Sequence, residues 1–141
     1  MVKPAFIAIY YGCRWRGIPS IHTLPNIFTV ILSCLANDYI YDIVVYATHR
    51  ALHNKFLYKH IHKKHHEYRS TIAIANIYSH PVEHLLSNLL PSTLAPMILG
   101  SHIATFWICV IAFMISSTIA HSGYHLPFLN SAEFHDFHHV R

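Results

Sequence analysis

The chain has 141 residues, enough for one small domain, and 53% of them are hydrophobic while only 11% are charged, well under the roughly 25% charge of soluble domains. The formal net charge is +4, but no aromatic platform is interleaved with the basic residues, which argues against nucleic acid as a partner. The composition points instead to a membrane protein.

The first residues carry Lys3 and a short apolar stretch from Pro4 to Cys13. Arg14 and Arg16 follow where a cleaved leader needs small residues, so a signal peptide is not expected. Cys13, Cys34 and Cys109 lack metal-site spacing and are expected as unpaired thiols in apolar surroundings.

A first membrane helix is predicted over about 25–53. Asp38, Asp42, Tyr46, His49 and His53 follow one another at spacings of four, four, three and four, forming a polar stripe expected to face a bundle interior. The competing reading is an amphipathic helix lying on the membrane surface with both aspartates solvated. It accounts less well for a stripe that leads into a histidine pair.

A polar segment comes next, and Arg50, Lys55, Lys59, Lys63, Lys64 and Arg69 supply six of the ten cationic side chains there. The positive-inside rule places this segment in the cytosol. Attraction to anionic lipid headgroups is expected as well.

His80 to His84 match H-x-x-E-H, a zinc-protease arrangement that needs a further downstream acid, for which Glu133 is a loose candidate. Pro81 reads better as the first residue of a membrane helix. That helix, over about 82–100, and another over about 103–121 form a tight hairpin turning at Gly100, Ser101 and His102. Pro91 and Pro96 should kink the first arm. The hairpin returns the chain to the side it left, so cap segments at about 49–80 and 121–141 share one membrane face. The expected fold is an all-α integral membrane bundle carrying a cytosolic histidine-rich cap.

Ten of the fifteen histidines fall into four clusters: His49 with His53; His62 with His65 and His66; His121 with His125; His135 with His138 and His139. Residues three or four apart share a helix face, so each cluster aims its imidazoles at one point. His22, His60 and His102 stand outside and read as surface or core residues. Neutral imidazole suits zinc, copper, iron or nickel. Ten ligands exceed what one ion uses; two six-coordinate ions would take about five each and keep one position open. Asp38, Asp42, Glu67, Glu83, Glu133 and Asp136 are the acids available to orient the rings through their other nitrogen, and Asp42, Glu67 and Asp136 are favoured. A metal-binding or transport protein without redox activity would use the same histidines, but with ligands nearer the bilayer midplane.

HRALH at 49–53, HKKHHEY at 62–68, HSGYHLPF at 121–128 and FHDFHH at 134–139 resemble the fatty acid hydroxylase superfamily of membrane di-iron enzymes. NIYSHPVEHLLSN at 76–88 is most similar to the C4-methylsterol oxidase branch and its fatty-acid-hydroxylase-domain-containing relatives. The resemblance implies an endoplasmic reticulum enzyme with two iron ions per chain. It would hydroxylate a sterol or other lipid with dioxygen and electrons from cytochrome b5 and its NAD(P)H-dependent reductase. The implied ligands are the ten clustered histidines, His125 the least secure because aspartate can occupy its position; His80 and His84 are flanking residues of open role. Leu85, Leu89, Phe106, Ile111 and Phe113 form a largely apolar stripe that could line a lipid route, although plain lipid-facing packing explains them better. Ala47 replaces a bulky aromatic of the family, and the end at Arg141 implies a chain truncated at both ends.

Overall fold

The computed structural model describes residues 24–68, 72–127 and 131–140, together with Ile7 and residues 10–12. The readings on Lys3, Cys13, Arg14, Arg16, His22 and Arg69 lie outside the described residues. What is described is all-helical, with no strand.

Helix α1 (Ile27–Leu52) opens with Asn26, whose side chain accepts from Thr29 N, supplying an acceptor to a first-turn donor that has no helical partner. A short α2 (Lys55–His60) follows and is capped by Asn54 in the same way. Two 3₁₀ turns, His62–Glu67 and Ala73–Ile77, then cross above the bundle. Helix α3 spans 81–99 in three parts: Pro81–Glu83, a π-helical His84–Leu89 and the α-helical Leu90–Leu99. After the turn come α4 (Ile103–Ala120) and α5 (Ala132–Val140).

The turn forms at the residues expected for it. Gly100 ends α3 with φ 63°, a left-handed conformation that costs glycine nothing. Ser101 N donates to Pro96 O, and the His102 side chain caps α4 by accepting from Ala104 N. The irregularity of α3 has a cause in Pro91, which supplies no N–H to the ladder. Ser92 and Thr93 hydroxyls donate back to the carbonyls of Asn88 and Leu89, which satisfies these polar side chains within the helix itself.

α1 and α4 run in the same direction, in register. Asn37 Nδ2 donates to Cys109 Sγ at 3.5 Å across 72 positions, and the Tyr41 and Phe113 rings stack with centroids 3.9 Å apart at the same offset. Continued along both helices, this register brings the end that holds His49 level with the one that holds His121. Asn37 is fully buried and also donates to Ser101 Oγ, tying α1 to the hairpin turn.

This register corrects the polar stripe. The inward face of α1 carries Asn37 and Tyr41, one residue before Asp38 and Asp42, which are both exposed. The lipid-route residues divide too: Phe106 and Phe113 are core, whereas Leu85 and Ile111 face outward.

α1 and α4 are long and apolar enough to cross a membrane, with mean hydropathies of 1.5 and 2.1. Phe28, Leu32, Leu35, Ile108, Ile111 and Met114 are exposed on them, an apolar surface that suits lipid. The broken α3 packs between them as the hairpin's first arm. The molecule is a membrane helical bundle with a histidine-rich end.

Candidate metal centre

Each histidine reaches that end by local geometry. His49 and His53 lie one turn apart at the end of α1, and His135, His138 and His139 lie along α5. His62, His65 and His66 share one 3₁₀ turn, in which residues three apart eclipse. His121 caps α4.

The imidazoles form two groups of four. His49, His53, His62 and His138 make one, and His65, His121, His135 and His139 make the other, with the nitrogens of each group lying within 4.8 Å of one another. In the first, the Nε2 separations are 2.9 Å for His49–His138, 3.2 Å for His53–His138 and 3.0 Å for His62–His53. In the second they are 3.3 Å for His121–His65, 2.8 Å for His135–His121 and 3.0 Å for His139–His135. His66 stands between the groups, its Nε2 3.0 Å from His62 and its ring against those of His138 and His139.

The opposite nitrogens show what these contacts are. His65 Nδ1–H donates to Tyr78 O at 3.2 Å, and His121 Nδ1–H donates to Ser117 O at 2.8 Å. A carbonyl oxygen only accepts, so both protons sit on Nδ1 and each Nε2 is a bare lone pair. Those lone pairs face each other at 3.3 Å with no proton between them. His62 is arranged alike: Nδ1–H donates to Glu83 Oε1 at 2.7 Å, and Nε2 faces His53 and His66.

Such an arrangement repels itself unless a cation lies among the nitrogens. Around an ion about 2.1 Å from each nitrogen, adjacent corners of an octahedron stand about 3.0 Å apart and those of a tetrahedron about 3.4 Å. The contacts of 2.8–3.3 Å lie close to these spacings, so the residues present fit a pair of first-row metal ions.

Electrostatics agree. Burial, reinforced by neighbouring imidazoles, lowers the pKa of His66 and His135 to about 2, of His139 to about 3 and of His138 to about 4. Burial also lowers His65 and His121. All are neutral near pH 7, the form that binds metal.

Several sequence-predicted residues stand elsewhere. His125 is exposed, its Nδ1 3.3 Å from Ser131 Oγ. The helix holding His121 has already ended and Gly123 takes φ 72°, so four-residue spacing no longer shares a face. Asp42 makes no hydrogen bond to a histidine among the described residues, and neither does Asp38, because both point off the outer side of α1. Glu67 accepts from Tyr78 OH at 2.8 Å and so braces the residue whose carbonyl holds His65. Asp136 has a buried Oδ1 with no hydrogen-bond partner among the described residues. Glu83, one of the available acids but not among the favoured three, is the carboxylate that does grip a cluster histidine. The H-x-x-E-H segment builds no joint site: His80 caps α3 through Val82 N, and His84 Nδ1 pairs with Asn88.

A protein-family model described as fatty acid hydroxylase matches residues 34–141. The chain is 39% identical over 138 residues to human (Homo sapiens) fatty acid hydroxylase domain-containing protein 2, covering 98% of this chain and 41% of that protein. It is 35% identical over 144 residues to methylsterol monooxygenase 2-2 of Arabidopsis thaliana, covering 96% and 54%. It is 33% identical over 144 residues to very-long-chain aldehyde decarbonylase GL1-11 of Oryza sativa subsp. japonica, also covering 96% and 54%. The chain thus spans about half or less of the length of these relatives. No solved structure matches it.

Proposed function

Because the chain belongs to the fatty acid hydroxylase family, whose relatives include lipid-modifying oxygenases, we propose that it is the metal-binding core of a membrane di-iron monooxygenase acting on a sterol or another lipid. The observation that carries this reading is the facing pair of lone pairs on His65 and His121.

The protein's own residues bind and orient. His49, His53, His62 and His138 would hold one iron, and His65, His121, His135 and His139 would hold the other, with His66 between the two groups. Glu83, Tyr78 O and Ser117 O fix three of the rings in the tautomer that leaves Nε2 free. The irons, when bound, supply the redox chemistry by which a C–H bond, dioxygen, two electrons and two protons become an alcohol and water.

The surroundings fit the rest of the reaction. α1 and α4 root the site in the bilayer, so a lipid reaches it without leaving the membrane. The electrons come from cytochrome b5 and its NAD(P)H-dependent reductase, and exposed Lys55, Lys59, Lys63 and Lys64 offer a basic docking face. That face is cytosolic, and the membrane is that of the endoplasmic reticulum.

The test is metal analysis of the full-length protein purified in lipid, with product assay after reduction under oxygen. Two irons per chain and oxygen-dependent hydroxylation of a sterol or acyl lipid are expected. One zinc per chain with no reaction toward oxygen would overturn the proposal.

A further inference from the structure

A cavity of about 110 Å³ lies against the histidine groups on the side toward the helices. His49 from one group and His65, His121 and His135 from the other form part of its wall. Asn76, Ser79, Glu83, Ser87, Asn88 and Ser117 form most of the rest. Such a polar lining is unexpected within an apolar bundle, where each polar group must find a partner.

Three of those side chains carry an atom without one. Ser79 Oγ, Ser87 Oγ and Glu83 Oε2 are buried without a hydrogen-bond partner among the described residues. Glu83 uses its other oxygen for His62, and Ser87 lies in the π-helical part of α3, an irregularity often found at functional sites.

The chemistry of the three atoms restricts what binds. A hydrocarbon would leave all of them unsatisfied. An anion would meet the Glu83 carboxylate, and a cation would find no second acid on the wall. Glu83 Oε2 only accepts, so the occupant donates; the serine hydroxyls do either. We propose that this cavity is a binding site for a neutral hydroxyl group, carried either by ordered water or by an alcohol at the reacting end of the lipid. The inference rests on reading the histidine groups as the metal centre. It deepens that reading by placing an O–H group in a cavity whose wall includes His49, His65, His121 and His135 of the two groups.

The test uses the full-length, metal-loaded protein in lipid nanodiscs with two photoreactive probes, a long-chain primary alcohol and an alkane of equal length, each carrying a diazirine near one end. Labelling of the peptide holding Ser79 and Ser87 by the alcohol alone, reduced about tenfold in the Ser79→Ala, Ser87→Ala double variant, supports the site and identifies a lipid alcohol. Oxidation of Tyr41, whose ring also lines the cavity, by a brief X-ray pulse, lost in the double variant and unaccompanied by alcohol labelling, supports it and identifies water. Ser87→Thr keeps its hydroxyl and retains either signal, which separates lost binding from lost folding. Equal labelling by both probes, or no signal that depends on the two serines, overturns the inference. Iron content of the same samples reports on the metal centre independently.

Discussion

Glu83 stands 21 positions from His62 in the chain, yet its Oε1 accepts the His62 Nδ1 proton at 2.7 Å with both side chains buried. A carboxylate in this position fixes the ring and makes Nε2 more basic, and losing such a partner typically costs about 10–100-fold in metal affinity. Glu83→Ala is therefore expected to weaken metal binding by roughly that factor, and Glu83→Gln, which keeps an acceptor, by less. Cobalt titration of the purified variants reads the difference. Unchanged affinity in Glu83→Ala would remove it from the centre.

The histidines separate into those that meet and one that does not. His135→Ala breaks the contact of His121 with His139 through His135 and should empty the second group, lowering bound iron from about two to about one per chain. His125→Ala changes an exposed side chain outside both groups and should leave the iron content as it was. Elemental analysis distinguishes them; loss of iron in His125→Ala would mean that the loop folds inward when metal binds.

These contrasts show which features are legible in a sequence. The cluster histidines can be read because helical spacing is local, and Gly100 because a glycine between two apolar runs marks a turn. His125 misleads for the same reason, since its spacing has meaning only while α4 continues, and α4 stops at Ala120. The Glu83 pairing has no local signal at all, because it depends on a 3₁₀ turn being laid across the start of α3. The inward face of α1 lies one residue away from the charged stripe. The charges of Asp38 and Asp42 draw the eye, but the neutral amide of Asn37 is what a dry interface accommodates.

That register is open to direct test. Asn37→Ala removes a buried donor from Ser101 and Cys109 and should destabilise the bundle by about 1–3 kcal/mol. Asp38→Asn alters an exposed position and should stay within about 0.5 kcal/mol. Unfolding in mixed detergent micelles compares the two. An equal loss in both would return Asp38 to the interior.

Removing the metal should act on one end of the molecule only. The neutral imidazoles of His65 and His121 present lone pairs to each other at 3.3 Å, and without a cation nothing offsets their repulsion. The elements that carry the rings are short: the 3₁₀ turn His62–Glu67 and the nine-residue α5, neither able to sustain itself by helix propensity. α1 and α4 are held instead by their own packing, through Asn37, Tyr41 and Phe113. Chelation should therefore speed amide exchange in 62–67 and 132–140 while α1 and α4 remain protected, and added ferrous iron should reverse the change. Uniform exchange across the chain after chelation would show that the metals hold the whole bundle together, and no change anywhere would show that the histidine end is stable without them.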